Sequence, residues 1–255
     1  MFKQVLYCNS LTSVTIGDSV TTIGKYAFFG CSSLTSVTIP DGVTTIGYAA
    51  FAYCGSLTSV TMGEGVETVG GYAFANCPNL NAVHITDLAV WCNIDFINPL
   101  TDGNVDFAAN PLCNAGSLYL NGELVTDLVI PDGVTELRII SFVNCSSLTN
   151  VTIPDSVTTI GDCVFYNCRS ITSVTIPDSV TAIGHGAFYH CSSLTSVYCK
   201  AVTPPAAILD DYGCWYTFDE NASGRIIYVP MESVEAYKSA NRWSNYADAI
   251  VGYDF

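Results

Sequence analysis

Charge is scarce in this sequence. Only 12% of its 255 residues are charged, and eight Lys and Arg stand against 23 Asp and Glu, for a net charge of −15. A chain this acidic is repelled by nucleic acid and by anionic membrane, which excludes both as partners. Solubility rests instead on the abundant Thr, Ser, Asn and Asp. No run of 18 or more apolar residues occurs, so no segment has the length of a transmembrane helix and no direct membrane insertion is expected. The first eight residues lack both the long apolar stretch and the small-residue cleavage site of a secretory signal. They enter a repeat in mid-phrase, with Val5 where later copies carry Phe, and so read as a chain whose natural start lies further upstream, as in a trimmed or matured protein. Histidine occurs three times, and no His-Glu-x-x-His, Gly-x-Ser-x-Gly or P-loop pattern is present. The sequence therefore predicts no enzyme and no cofactor.

Cysteine, in contrast, is plentiful and periodic. Cys8, Cys31, Cys54 and Cys77 are 23 residues apart, as are Cys145, Cys168 and Cys191, and each is followed by a version of Leu-Thr-Ser-Val-Thr-Ile. A fixed period of this size is the signature of a solenoid, one short unit stacked on copies of itself. Equivalent residues in adjacent coils are displaced by about 4.8 Å and point the same way, so these seven cysteines are expected to form a buried column of thiols without disulfides. Cys92, Cys113, Cys163, Cys199 and Cys214 fall outside the column, and a disulfide among them stays open.

Within the unit that starts at Cys31, Leu34, Val37 and Ile39 have strand spacing, and Ser36 and Thr38 project from the other face. Pro40-Asp41-Gly42 makes the turn, Val43 and Ile46 re-enter the core, and Phe51 fills the wide side of the coil. Phe28, Phe74, Phe142, Phe165 and Phe188 occupy the same point in other units. At Ile-Pro-Asp-Ser-Val-Thr-Thr-Ile-Gly (153–161), followed by Phe165 and Cys168, the chain resembles the BspA-like leucine-rich repeat family, over roughly residues 8–86 and 124–200. The resemblance implies a curved, right-handed, β-rich solenoid with a parallel sheet along its concave face, and a role in adhesion or protein recognition at a bacterial surface.

Four segments are expected: leucine-rich repeats over 1–86, an insertion over 87–123, further repeats over 124–200, and a C-terminal β/α cap over 201–255. The distance from Cys77 to Cys145 is 68 residues, three periods less one, so the insertion replaces about two coils. It should hold a two-turn helix over 87–94, a loop over 95–115, and a hairpin of 118–120 with 124–130 turning at Asn121-Gly122. It is expected to bulge from the solenoid without interrupting its core. After Thr203-Pro204-Pro205, a last strand over 225–229 and a helix over 231–240 resemble the ends of many members of that family and should cover the open end of the stack.

Candidate sites follow from this frame. The concave face should present Thr15, Thr38, Thr61, His84, Val129, Thr152, Thr175 and Tyr198; a hydroxyl ladder of this kind can hydrogen-bond a protein or glycan, but its uniform Thr stretches read first as ordinary strand chemistry on a solvated face. Outside the core phrase the units differ, and the departures are rich in aromatic rings: Tyr26, Phe29, Tyr53, Tyr72, Tyr166, His185, Tyr189 and His190 on the coil side, with His84 and Tyr198 on the concave side. Such rings suit recognition, or record drift at unconstrained positions; a contiguous patch would decide for the former. The acids Asp18, Asp41, Glu64, Asp132, Asp155 and Asp178 form a row, but one carboxylate per coil suits a turn better than a calcium ion. Gly213-Cys214-Trp215-Tyr216 is similar to part of a cysteine-protease segment whose first cysteine is missing here, and Cys191 of His190-Cys191 belongs to the buried column. The expected function is noncatalytic recognition or adhesion, secreted or at a cell surface, with a host or microbial protein as partner. A spacer without ligand and an accessory carbohydrate-binding module, its partner a glycan, are the alternatives.

Overall fold

The computed structural model of the chain describes residues 7–97, 107–207 and 216–255; Val5, Cys214 and Trp215 lie outside them. It comprises two units, residues 1–125 with 143–145, and residues 126–142 with 146–255. Each is a parallel-stranded repeat stack.

In the first unit, Ser36–Thr38, Ser59–Thr61, Ala82–Ile85 and Leu118–Leu120 form one parallel ladder. Thr22–Ile23, Thr45–Ile46, Thr68–Val69 and Asp95–Phe96 form a second. Val37 pairs with Val60, so the sequence period of 23 is also the register of the sheet. The middle residue of Ser36-Val37-Thr38 is buried and its neighbours are exposed, as strand alternation requires. The turn after it closes when the Val43 amide donates to the Pro40 carbonyl at 3.0 Å. One turn later Gly65 has no alternative, because a Cβ there would collide with the Asp41 carbonyl oxygen of the preceding coil. Behind the sheets, Phe28, Phe51 and Phe74 stack at 5.1 and 5.4 Å with planes 8° and 9° apart. Beside them Cys31, Cys54 and Cys77 form the expected buried column, whereas Cys8, in the first coil, is only half-buried; the thiols of Cys54 and Cys77 donate to the carbonyls of Phe28 and Phe51 at 3.3 and 3.2 Å.

The inserted segment differs from its sequence reading. Asp87 caps a helix over Leu88–Cys92, its carboxylate accepting from the Val90 amide at 3.0 Å. Beyond it, however, Asp95–Phe96 joins the second ladder, Phe107–Ala109 is a 3-10 turn, Leu112–Ala115 a short helix, and Leu118–Leu120 joins the first ladder. The described parts of the segment on either side of residues 98–106 therefore join the stack, because Trp91, Phe96, Leu112 and Leu118 are too apolar to stand in water and are all at most 1% exposed. The hairpin turns at Asn121-Gly122, both with positive φ, but its return strand is only Glu123–Leu124. Asp127–Val129 leaves it to pair in parallel with Asn150–Thr152.

The second unit repeats the plan. Asp127–Val129, Asn150–Thr152, Ser173–Ile176, Ser196–Cys199, Ile226–Pro230 and Ile250–Tyr253 form a six-stranded parallel sheet, and Glu136–Leu137, Thr159–Ile160, Ala182–Ile183 and Ala206–Ala207 a four-stranded one. Phe142, Phe165 and Phe188 stack at 5.5 and 5.2 Å, and Phe218, beyond the last recognisable repeat, extends the column at 5.6 Å. The thiols of Cys168 and Cys191 donate to the carbonyls of Phe142 and Phe165 at 3.1 Å. The terminal segment continues the coil geometry with its own chemistry. Tyr237, on the helix Val234–Ser239, donates to the Ala201 carbonyl at 2.7 Å, and the Trp243 indole donates to that of Pro205 at 2.9 Å. The Arg225 guanidinium lies over the Tyr246 ring at 4.8 Å and donates to the Phe218 carbonyl. The strand Ile250–Tyr253 has no counterpart in the sequence reading.

None of the described cysteines, Cys92, Cys113, Cys163 and Cys199 included, is in a disulfide; Cys214 is outside the described residues. Burial pushes the thiols of Cys77 and Cys199 up to about 11 and those of Cys92 and Cys191 up to about 12. Their folded pKa values exceed the unfolded one, so the folded chain holds these protons where the unfolded chain releases them. Stability is accordingly expected to be intact below about pH 9 and to fall as pH rises through 9 to 11, read as a declining urea midpoint. A midpoint that stays flat to pH 11 would contradict the burial of these four thiols.

Candidate functional site

From Cys31 on, each periodic cysteine is preceded by two residues in the left-handed region, one immediately before it and one five residues before it, and Tyr7 holds the first of these positions before Cys8. In the first unit the former are Tyr7, Gly30, Tyr53 and Asn76, with φ of 54°, 71°, 60° and 54°. The latter are Tyr26, Ala49 and Tyr72, with φ of 57°, 50° and 56°. Gly and Asn are suited to this conformation; a residue with a full Cβ loses roughly 1–2 kcal/mol there. Four tyrosines thus sit where the backbone favours Gly or Asn.

Their rings meet. Phe29 is the hub, 5.4 Å from Tyr7, 5.7 Å from Tyr26 and 5.2 Å from Tyr53. Tyr48 links Tyr26 to Tyr72 at 5.5 Å on each side. Phe29, Tyr48 and Tyr72 rest on a floor of Ala49, Ala52 and Ala75, small residues that let rings from adjacent coils close over them. Around the half-buried hub, Tyr7, Tyr53 and Tyr26 remain 65%, 54% and 37% exposed. Of the sequence candidates, Tyr26, Phe29, Tyr53 and Tyr72 therefore fall into one patch. Tyr7 and Tyr48 complete it. Tyr48 was legible as a departure from the Lys25 slot, whereas Tyr7 stands in the incomplete first copy.

The remaining candidates form separate groups. In the second unit Tyr166 stacks on Tyr189 at 5.4 Å, and Tyr189 lies 6.0 Å from His190. Arg169 reaches His190 Nε2 at 3.1 Å and the Asn167 side-chain oxygen at 2.7 Å. The His185 amide donates to the Asp162 carboxylate at 2.7 Å. On the long-strand sheets, His84 stacks on Tyr119 at 4.8 Å in the first unit. In the second, Tyr198 stacks on Tyr228 at 4.7 Å with the edge of Tyr253 against both, and Phe255 follows at 5.0 Å. Tyr228, Tyr253 and Phe255 escaped sequence reasoning because they lie beyond the 23-residue period.

Two of the acids bond their neighbouring coil: Asp41 accepts from the Glu64 amide at 2.9 Å, and Glu64 accepts from the Thr86 hydroxyl at 2.7 Å. Among the described residues no group of three or more His, Cys, Asp or Glu converges on a possible metal position, and no helix is long and apolar enough to cross a membrane. His190 and Cys191 point to different partners, Arg169 and the Phe165 carbonyl, and a thiol held at about 12 supplies no thiolate near neutrality.

The family model for the BspA type leucine-rich repeat region matches residues 2–94 and 117–203, in six copies. Solved structures with similar chains include a leucine-rich cell surface protein of Faecalibacterium prausnitzii, 26% identical over 87% of this chain and 62% of that one, with a TM-score of 0.45. A leucine-rich repeat protein of Eubacterium ventriosum is 21% identical over 86% of this chain and 66% of that one, with a TM-score of 0.46. The pneumococcal vaccine antigen PcpA is 16% identical over 96% and 80%, with a TM-score of 0.45. The chain thus spans less than two thirds of the length of the first two. No curated protein matches it.

Proposed function

Because this chain belongs to the BspA-type leucine-rich repeat family, we propose that it is a noncatalytic recognition module of a bacterial surface protein, and that it binds a partner protein through the aromatic patch of its first unit. One observation carries the reading: Tyr7, Tyr26, Tyr53 and Tyr72 occupy left-handed positions where Gly or Asn would be more stable, and their rings belong to one contiguous, part-exposed surface. Drift at unconstrained positions would relax toward the residues the backbone prefers. Backbone strain retained under an exposed ring is instead what a binding surface requires, since Tyr gives large contact area with few torsions to immobilise. Phe29, half-buried and ringed by tyrosines, has the arrangement of an interface anchor shielded from water by its rim.

The same backbone supplies the test. Replacing Tyr26, Tyr53 and Tyr72 together by Asn removes three rings and relieves three strained positions, so the melting temperature should stay level or rise. Binding to immobilised extracellular-matrix and bacterial surface proteins should fall by roughly tenfold or more, as loss of interface anchors does. Equal binding by the triple variant and the parent chain would end this reading.

A further inference from the structure

The long-stranded sheet of the second unit ends on an unpaired strand. Ile250–Tyr253 pairs in parallel with residues 227–230 and has no strand on its other side. Among the described residues, no hydrogen bond joins the backbone of Val251, Gly252 or Tyr253 to any element except that neighbour. The outward N–H and C=O groups of an edge strand are satisfied by water or by another extended chain, and soluble proteins guard such edges with charge, proline or a covering element. This edge reads Ile-Val-Gly-Tyr, without charge or proline, and Val251 within it is 45% exposed.

Both faces of the edge are apolar. On one, Tyr198, Tyr228 and Val251 form a row with one residue per strand, because Tyr198 pairs with Tyr228 and Tyr228 with Val251. Tyr253 leans back over this row, its ring 5.4 Å from Tyr228 and 5.6 Å from Tyr198, which leaves Val251 outermost. On the other face, by strand alternation, lie Ile250 and Gly252. Met231 sits against Gly252, where a Cβ would stand 2.7 Å from the Met231 sulfur, and is itself 66% exposed. A strand added here therefore meets apolar surface on both of its faces, and a β-branched or aromatic side chain beside Val251 extends the row. Charge selects the ends of that strand. The charged residues of the two segments that frame the edge, 231–233 and 248–255, are Glu232, Asp248 and Asp254, which attract a cationic flank and repel an acidic one. The same acids make a second copy of this chain a poor occupant. Antiparallel pairing about a twofold at Val251 brings Asp248 of each copy opposite Asp254 of the other, and pairing about Gly252 brings the buried Ile250 opposite that carboxylate.

We propose that the free edge of Ile250–Tyr253 is an interaction site separate from the aromatic patch, and that it takes up an extended, apolar segment of a partner protein with basic residues at its ends. The segment joins the sheet as a further strand, its backbone meeting the outward groups of Val251–Tyr253 and its side chains lying over Val251 on one face and Met231 on the other.

Titration of the full chain with a fluorescent Lys-Lys-Val-Ile-Val-Tyr-Val-Lys-Lys peptide, read by anisotropy, tests this. The peptide should bind at least roughly tenfold more tightly than one with a Ser-Thr-Ser-Thr-Ser core between the same flanks. It should also exceed its glutamate-flanked counterpart at about 50 mM salt, by a margin that narrows at about 500 mM. Two further peptides, methylated on one or the other set of alternate backbone nitrogens, separate strand pairing from apolar contact: one set should lose roughly tenfold or more and the other should bind as before, since only one set of N–H groups faces the edge. Val251→Lys, checked by thermal melting, should weaken binding to a similar degree. Equal binding of the Ser/Thr peptide, equal binding of the two methylated peptides, or binding unchanged by Val251→Lys would each overturn the proposal. A dimer of the chain in light scattering that Val251→Lys dissociates would overturn it in favour of a second copy at the edge. The aromatic patch lies in the first unit, so each of these outcomes leaves the recognition function proposed for it standing.

Discussion

Phe51→Ala is expected to destabilise the chain by about 3–5 kcal/mol, the cost of deleting a fully buried aromatic ring and leaving its cavity. Phe51 is 0% exposed, and its ring is clasped between Phe28 at 5.1 Å and Phe74 at 5.4 Å. The site cannot close over the gap, because neighbouring coils are held at fixed spacing by their backbones: the Phe51 amide donates to the Ala73 carbonyl at 2.8 Å, and the Phe28 amide to that of Ala50 at 2.8 Å. The Phe51 carbonyl also accepts the Cys77 thiol, so a shift of this residue disturbs the cysteine column of the next coil. Thr38→Ala, on the exposed face of the strand Ser36–Thr38, should change stability by no more than about 0.5 kcal/mol. Urea unfolding followed by circular dichroism separates the two, and equal losses would mean that the buried and exposed faces have been exchanged.

Removing residues 201–255 is expected to convert the protein from soluble to aggregating. Ser196–Cys199 would lose its partner strand, since Ile226–Tyr228 pair with Ser196–Tyr198, and would present an open parallel edge. Phe188 would lose the Phe218 ring at 5.6 Å, and the buried Cys199 would lose the Tyr237 hydroxyl at 3.2 Å. The same dependence can be probed without truncation. Trp243 is 5% exposed, donates to Pro205 and meets the Tyr237 ring at 4.9 Å, so Trp243→Ala should cost about 3–5 kcal/mol. Light scattering of the truncated chain and thermal melting of the point variant decide the matter. A truncated chain that stays monomeric and equally stable would show the terminal segment to be an appended tail.

Tyr237 and Trp243 mark a limit of sequence reading. That the 23-residue repeat lapses after Pro205 was legible, but the strand Ile250–Tyr253, with which the sheet continues, was not. Four residues without period, next to a 3-10 turn over Trp243–Ala249, carry no local signal of the sheet they complete. The insertion fails to read for a similar reason. Asp95–Phe96 is a strand only because Thr68–Val69 lies beside it with free backbone groups, and nothing within the two residues says so.

The repeats read well because in a stack each coil touches mainly its neighbours, so the sequence period is itself the tertiary register. Val37 opposite Val60, Thr38 opposite Thr61, the Phe column and the burial of the periodic cysteines from Cys31 on were all determined by the sequence alone. The tertiary structure decided which variable residues became neighbours. Tyr53 and Tyr26 stand in different slots of different coils, and only the folded backbone, turning left-handed at both, aims their rings at Phe29. A one-dimensional repeat specifies contacts within a slot; contacts between slots depend on φ, on the small Ala floor beneath the rings and on side-chain direction, which the period does not encode.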